Sequence, residues 1–373
     1  MEIDRGQVNP MPGHKDAISP FFTPWGRFGA PGIPLDSRMG PFVYLVSKPH
    51  NLGWSACRGS DYPFGMNLPS RRSFLGLSTF GLAGLATGSL TAIEPLKRQG
   101  SRMNLSLAAY SFRNYFRHYN RGNRKTSVPE NQQIGMVDFL DFCADHGCQG
   151  AELTSYFFPG DAPDGYYLGL RRHSILRGIE VSGTAVGNDF VLPKGDELSK
   201  QISDVKGWID KAALIGAPHI RVFAGRIPKG AEEKVVMRNC IESLEECCDY
   251  AGKKGIFLGL ENHGGLVAEV GPMLDIIKAV QSPWFGVNLD SGNFKTDDPY
   301  GDLAKIAPYA VNVQVKVEIQ KRGEAKKHTD LKRLVNILKD ANYQGYVVLE
   351  YEASEDPFKA VPGYLEKLGA LLA

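Results

Sequence analysis

Short apolar runs alternate with longer amphipathic stretches along the chain from Met103 to the end. The runs have the length and β-branched content of buried strands, and the stretches repeat apolar residues every three to four positions, as helices do. The predicted strands are 103–110, 148–153, 179–186, 218–223, 256–261, 284–290, 310–316 and 345–351. The predicted helices are 133–146, 164–177, 196–215, 231–252, 269–281, 300–308, 329–341 and 357–371.

Eight strand–helix units in a row predict a closed (β/α)8 TIM barrel over residues 101–373. The rival is an open, doubly wound sheet, which usually carries a glycine-rich phosphate loop after its first strand. Here the first strand runs into Ala109-Tyr110-Ser111-Phe112-Arg113-Asn114, which contains no glycine. The barrel is therefore favoured, and it places the active site at the carboxyl ends of the strands.

The N-terminal part of the chain shows neither the apolar runs of strands nor the repeat of three to four positions that is typical of helices. Residues 1–65 are rich in proline, glycine and aromatic residues, so we interpret them as disordered or as a start assigned too far upstream, with Met66 as the alternative start. Residues 66–100 resemble a twin-arginine export signal, because Arg71-Arg72 precede Phe74-Leu75 and a weakly apolar stretch to about Ala92. A membrane anchor is the alternative, but four glycines disfavour a stable spanning helix. We expect a periplasmic protein without stable membrane insertion after signal removal.

Composition narrows the function classes only slightly. The formal net charge is +2, so no basic surplus favours nucleic acid as a partner. Of the six cysteines, Cys57 lies in the leader, and the other five are spaced irregularly, mostly within helical patterns. This spacing favours buried free thiols over disulfides or a cysteine-type zinc site. Whether the protein forms a homo-oligomer is left open.

Three predicted strands end in a carboxylate: Glu261, Asp290 and Glu350. An acid that ends an apolar run is costly to bury unless it is paired or binds a metal. Together with Gln314 at the end of the seventh strand, these hard oxygen donors predict a divalent metal site. The alternative is that each acid forms an ion pair at the barrel mouth, with Arg221 or Lys316 as the partner.

The chain resembles the xylose isomerase-like TIM-barrel superfamily, which includes sugar isomerases and epimerases, inosose dehydratases, hydroxypyruvate isomerases and endonuclease IV. The resemblance covers about residues 103–373. It rests on the motifs Glu-Asn-His at 261–263, Leu-Asp-Ser-Gly-Asn-Phe at 289–294, Val-Lys at 315–316 and Leu-Glu at 349–350. Endonuclease-type cleavage is disfavoured, because that site holds three zinc ions with many histidine ligands and only six histidines follow Met66.

The resemblance implies functional residues. In the ketose 3-epimerase branch Glu, Asp, His and Glu hold the metal, and the two glutamates move the proton. Carried over, the metal ligands are Glu261, Asp290, Gln314 and Glu350, and the catalytic residues are Glu261 and Glu350. Gln314 departs from the usual histidine, so Mn²⁺, Mg²⁺ or Co²⁺ is favoured over Zn²⁺, or metal binding is weakened or lost. Asn293 stands where epimerases often have a substrate-binding histidine.

The remaining substrate-binding candidates also follow strand ends. Glu152 ends the second strand, and an ion pair at the mouth is its alternative role. Arg221 ends the fourth strand and is a candidate for a substrate hydroxyl or carboxylate. His263 follows Glu261 and either contacts substrate or packs in a loop. Lys316 is placed to stabilise an enediolate oxygen or to neutralise Glu350.

The leading hypothesis is a metal-dependent isomerase or epimerase that acts on a sugar or keto-sugar through a cis-enediolate, with glutamates as acid and base. One alternative is a lyase or hydrolase on keto-glycosides or inositols, which starts with the same proton abstraction and uses Glu152 or His263 as general acid. Another is a metal-free barrel that only binds carbohydrate.

Overall fold

The protein was analysed as a computed structural model that describes residues 94–96, 98–120, 126 and 128–373. Ten strands occur in this part of the chain: β1 Arg102–Ala108, β2 Gly150–Thr154, β3 Glu180–Ala185, β4 His219–Val222, β5 Phe257–Glu261, β6 Phe285–Asp290, β7 Ala310–Val315, β8 Glu318–Ile319, β9 Lys327–His328 and β10 Gln344–Leu349. The α-helices are α1 Met136–Asp145, α2 Asp164–Leu176, α3 Asp196–Ile215, α4 Glu233–Gly252, α5 Val270–Ala279, α6 Pro299–Ile306, α7 Leu331–Asp340 and α8 Pro357–Leu372.

Eight of the strands close into one parallel barrel in the order β1-β10-β7-β6-β5-β4-β3-β2. Closure is made by β1, which pairs with β10 on one side and with β2 on the other. The prediction of a (β/α)8 barrel is thus confirmed. The barrel lets all eight strands pair on both edges, so no strand edge is left open to solvent.

The predicted strand and helix positions agree with the structure at every barrel unit. Gly147, which follows α1, has φ 73°, and Asn342, which follows α7, has φ 52°, so both adopt the left-handed conformation that ends a helix. The pattern did not predict the antiparallel hairpin β8–β9, because its strands are only two residues long.

Apolar side chains pack between the barrel and its helices, and they include Leu260, Val287 and Leu289, all fully buried. The five described cysteines are free and buried, as predicted. No described helix combines the length and apolarity needed to cross a membrane. The leader and nearly all of the predicted twin-arginine segment lie outside the described residues.

The alternation of side chains along each strand makes the barrel interior polar. On β6, Val287 and Leu289 belong to the apolar layer, so the alternate residues Asn288 and Asp290 face inward. Both are completely buried. Buried polar groups are costly without partners, so their contacts decide what the barrel interior does.

Candidate active site

A small cavity of about 60 Å³ opens at the carboxyl ends of the barrel strands. This is the face at which barrels of this kind carry their active sites. The cavity is lined by ten residues: Tyr110, Tyr156, Arg221, Phe223, Glu261, His263, Asn293, Lys316, Glu350 and Glu352. Six of them are residues that the sequence analysis selected, so most of the predicted strand ends do meet at one place.

One side of this cavity is an ion pair between β4 and β5. Arg221 Nε lies 2.9 Å from Glu261 Oε2, and both side chains are about 5% exposed. Arg221 also donates a hydrogen bond to the carbonyl of Val186 at 2.9 Å, and its guanidinium lies 4.0 Å from the centre of the Phe223 ring. The other oxygen of Glu261 accepts a hydrogen bond from Asn293 Nδ2 at 2.7 Å. Glu261 is therefore held in one orientation by a cation and an amide.

On the opposite side of the cavity, Lys316, which follows β7, contacts several carboxylates. Its Nζ donates to Glu350 Oε2 at 2.5 Å and also lies 3.1 Å from Glu352 Oε2 and 3.3 Å from Asp290 Oδ2. The Lys316 backbone N–H donates to Ser291 Oγ at 2.8 Å, which fixes the start of this side chain. One ammonium group therefore neutralises carboxylates from two different strands. We call Arg221, Glu261, Asp290, Lys316 and Glu350 the mouth cluster.

Asn262 connects the ends of β5 and β6. Its side-chain amide donates to the backbone carbonyl of Asp290 at 2.9 Å, and its carbonyl oxygen accepts from the Asp290 N–H at 2.8 Å. It is completely buried. The middle residue of the Glu-Asn-His motif therefore holds Glu261 and Asp290 at a fixed separation, a role that the motif alone did not suggest.

Burial controls the protonation of the mouth cluster. It raises the pKa of Glu261, Glu350 and Asp290 above the ordinary carboxyl range, although Lys316 opposes the rise in each case and Arg221 does so at Glu261. Burial alone lowers the pKa of Lys316, but Asp290 and Glu350 raise it more, so the net pKa is well above its ordinary value. Lys316 stays charged, while the three carboxyl groups hold protons more tightly than ordinary carboxyl groups do.

A second set of polar side chains lies one inward position below the mouth cluster. Glu152 Oε1 accepts from Gln314 Nε2 at 2.7 Å, and Glu152 Oε2 accepts from Asn312 Nδ2 at 2.9 Å. Asn288 completes the set, since it donates to Gln314 Oε1 at 2.7 Å and accepts from Asn312 at 2.8 Å. We call Glu152, Asn288, Asn312 and Gln314 the amide layer.

Glu152 has only neutral side chains as its hydrogen-bond partners. Burial raises its pKa to about 8, and the charge of Glu350 adds to the rise, while Arg221 and the two amides oppose it. His219 lies on β4 and is also buried; burial and the neighbouring Arg221 lower its pKa to about 3, so its ring is neutral. Glu152 was expected to reach substrate, but it does not line the cavity.

The predicted metal ligands do not fit a metal ion in this arrangement. Each of the three acids already contacts a protein cation: Glu261 contacts Arg221, and Asp290 and Glu350 contact Lys316. Both ends of the Gln314 carboxamide are occupied within the amide layer. Among the described residues, no group of three or more His, Cys, Asp or Glu side chains is arranged to hold a metal. The ion-pair alternative for the three acids is the one that the geometry favours.

The sequence analysis missed four residues that line the cavity. Tyr110 and Tyr156 follow β1 and β2, Phe223 follows β4, and Glu352 lies two positions after Glu350. Their positions just beyond strand ends were the available signal. Beyond β1, Phe116 is fully buried and stacks on Phe157, with 4.3 Å between the ring centres.

A larger cavity of about 430 Å³ lies beside the mouth and is bordered by α3 residues such as Trp208 and Lys211. Tyr156 borders both cavities. No carboxyl pair with its own cations occurs among the residues that line the larger cavity. We therefore place the candidate chemistry at the mouth cluster.

Comparisons with known proteins agree with this architecture. A protein from Xenopus laevis named "Putative hydroxypyruvate isomerase" is 27% identical over 187 residues, which are 46% of this chain and 66% of that protein, slightly under two thirds of its length. A D-psicose 3-epimerase from Clostridium cellulolyticum H10, solved with D-tagatose, superposes with a TM-score of 0.55 and 16% identity, over 71% of this chain and 89% of that one.

A 3-keto-D-glucoside 4-epimerase from E. coli superposes with a TM-score of 0.53 and 15% identity, over 72% of this chain and all of that one. At these identities the structural likeness shows the fold. Residues 140–369 match the family described as Xylose isomerase-like TIM barrel. Because this match spans more than half of the sequence, the chain belongs to the xylose isomerase-like TIM barrel family.

Proposed function

We propose that the protein is an isomerase or epimerase that moves a proton next to the carbonyl of a compact sugar or keto-sugar. The observation that carries the proposal is the pair of buried carboxylates, Glu261 and Glu350, which line one cavity and each contact a fixed cation. Proton transfer between carbon atoms needs a base, an acid and positive charge near the developing oxyanion, and the mouth cluster contains all three.

The reaction we propose begins when Glu261 or Glu350 removes the proton from the carbon next to the carbonyl. The electron pair of the broken C–H bond forms the carbon–carbon double bond of an enediolate, and negative charge moves to the carbonyl oxygen. Return of the proton to the other face of the same carbon gives epimerisation, whereas return to the neighbouring carbon gives isomerisation. Raised carboxyl pKa values favour this role, since they bring each base closer to neutral pH.

The cavity dimensions favour a compact substrate. The cavity of about 60 Å³ adjoins one of about 100 Å³, and both are bordered by Asn293, Lys316 and Glu352. The relatives named above are a hydroxypyruvate isomerase and two sugar epimerases. They support the same reaction class for this chain, with a small α-hydroxy-carbonyl compound as the substrate.

The test is solvent-deuterium incorporation, followed by proton NMR, across a panel of ketoses, aldoses and hydroxy-keto acids in D₂O. We expect incorporation at the carbon beside the carbonyl of one substrate class. Glu261→Gln and Glu350→Gln should each lower the exchange rate by about 10²–10⁴-fold, the usual contribution of a positioned acid or base. Glu366→Gln, an exposed position on α8, is the matched control and should leave the rate unchanged. Equal rates in all four proteins would count against the proposal.

The lyase alternative begins with the same proton abstraction but also needs a general acid for the leaving group. Of the two acids suggested for that role, His263 lines the cavity and Glu152 does not. Product analysis of the same panel separates the two reactions, because elimination yields a dehydrated product while isomerisation conserves the composition of the substrate.

A further inference from the structure

We infer that this active site works without a resident metal ion, and that the Lys316 ammonium stands between the carboxylates where a divalent cation would otherwise be held. The inference rests on the proposed function and concerns the source of its positive charge. It departs from the expectation that the family resemblance raised, in which Glu261, Asp290, Gln314 and Glu350 would bind a metal.

The first observation against a metal ion is the position of Lys316. Its Nζ is 2.5 Å from Glu350, 3.1 Å from Glu352 and 3.3 Å from Asp290, so it lies among the oxygens that a metal would need. A divalent cation shared by Asp290 and Glu350 would stand close to this ammonium group, and two positive charges repel strongly where water is excluded. Lys316 is only 11% exposed, so it has little room to turn away into solvent.

The second observation against a metal ion is the hydrogen bonding of Gln314 within the amide layer. Gln314 replaces the usual histidine, and its oxygen already accepts a 2.7 Å hydrogen bond from Asn288 while its nitrogen donates a 2.7 Å bond to Glu152. Metal ligation at the Gln314 oxygen would compete with the bond from Asn288 for that oxygen, and weakening a buried hydrogen bond is costly. The fourth ligand is therefore committed to the barrel interior.

The chemistry needs no further component. When the carbon–hydrogen bond breaks, the proton goes to Glu261 or Glu350 and the electron pair ends on the substrate oxygen. Lys316 and Arg221 supply the positive charge that stabilises this oxygen, and no oxidant or reductant is consumed. An ammonium group can also donate a hydrogen bond to the oxyanion, which strengthens as negative charge develops there.

The balance of charges around the cavity shows why metal binding is the competing outcome. Glu261, Asp290, Glu350 and Glu352 oppose only Arg221 and Lys316, so the cavity has an excess of negative charge when all its carboxyls are ionised. A bound divalent cation would relieve this excess, so direct measurement of metal binding tests the inference.

The experiment is a Mn²⁺ titration of the purified full chain, after treatment with a chelator, followed by electron paramagnetic resonance of free Mn²⁺. We expect no stoichiometric binding to the wild-type protein at millimolar Mn²⁺. Lys316→Gln removes the ammonium and leaves its three carboxylates without their shared cation, so its affinity for Mn²⁺ should rise by at least about tenfold. Lys194→Gln, which removes a lysine paired with Glu242 outside the mouth cluster, should behave like wild type.

Stoichiometric binding of Mn²⁺ to wild type would overturn the inference, whatever the effect of Lys316→Gln. The wild-type titration decides the question even if the variant folds poorly. Exchange activity adds an independent arm: activity that survives chelation supports the inference, while activity that requires added metal overturns it and leaves the proposed function standing. If no compound undergoes exchange, the proposed function fails, and the Mn²⁺ titration still reports on the metal.

Discussion

The mouth cluster and the amide layer meet on β6 and at the end of β7, where their members are one inward-facing position apart, yet the two sets differ in charge. At the mouth, Asp290 and Lys316 are both ionic and contact each other. Two residues earlier on the same strands, Asn288 and Gln314 are neutral amides that bind each other. The barrel thus changes from ion pairs to amides within one repeat of side-chain alternation, about 7 Å along a strand.

This difference in charge gives the mouth cluster and the amide layer different roles. In the mouth cluster the carboxylates have cationic partners and a cavity, so they can gain and lose protons in contact with substrate. In the amide layer Glu152 has no direct cationic partner, and burial raises its pKa to about 8. We conclude that the amide layer is a neutral platform that supports the mouth cluster, and the following changes test this division.

The largest expected effect comes from Lys316→Met, which leaves Asp290 and Glu350 buried without their shared cation. Loss of one partner of a buried ion pair typically lowers the free energy of unfolding by about 3–5 kcal/mol. Lys194→Met, whose side chain and whose partner Glu242 are 64% and 46% exposed, should change it by less than about 1 kcal/mol. Urea denaturation measures both, and equal losses would show that the mouth cluster is not organised around Lys316.

The next effect is a pH dependence that belongs to Glu152. Its folded pKa of about 8 lies above the ordinary value of 4.5, so its contribution to stability is fully present below pH 4.5 and is lost as the pH rises to about 8. At about 1.4 kcal/mol per pKa unit, the loss is several kcal/mol. Glu152→Gln should therefore unfold like wild type near pH 4.5 and be more stable than wild type near pH 8.

Unfolding free energies measured across this pH range decide the point. A constant difference between Glu152→Gln and wild type would mean that Glu152 is ionised in the folded protein. In that case the amide layer would carry a charge, and the contrast with the mouth cluster would disappear.

The smallest effect is expected from Asn288→Leu, which keeps a similar volume but removes the hydrogen bonds to Gln314 and Asn312. Buried partners left unpaired cost about 1–3 kcal/mol. Because Asn288 does not line the cavity, the substrate exchange rate should fall much less than in Glu350→Gln. Asn336→Leu, on the exposed side of α7, is the control. A rate loss as large as that of Glu350→Gln would place the amide layer within the catalytic machinery.

Much of the candidate site could be predicted from local pattern. Glu261, Asp290 and Glu350 stand out because each ends an apolar run, and a barrel brings strand ends together at one face. The alternative that they form ion pairs with Arg221 and Lys316 was also available, since those residues end neighbouring strands. Tyr156 and Glu352 were missed because they lie past the strand ends, where chain direction follows from packing and has no period.

The role of Gln314 could not be predicted from local sequence pattern. Its position at the end of β7 suggested a metal ligand, but its side chain binds Asn288 on the preceding strand and Glu152 on β2, 162 residues away in sequence. Glu152 likewise ends a strand, yet it lies beneath the cavity. Whether an inward residue reaches the mouth or the interior depends on how far each strand extends relative to its neighbours, and this register is a property of the closed barrel.

The sequence by itself determined the eight strand–helix units, the barrel and the chemical types of the groups at its mouth, because hydrophobic period and strand-end residues are local features. The twin-arginine signal and periplasmic location remain predictions. Only the tertiary structure decided which charges pair, since Lys316 meets Asp290, Glu350 and Glu352 across gaps in sequence that no motif encodes. Ion pairing depends on distances of a few ångströms, and closure of the barrel sets those distances.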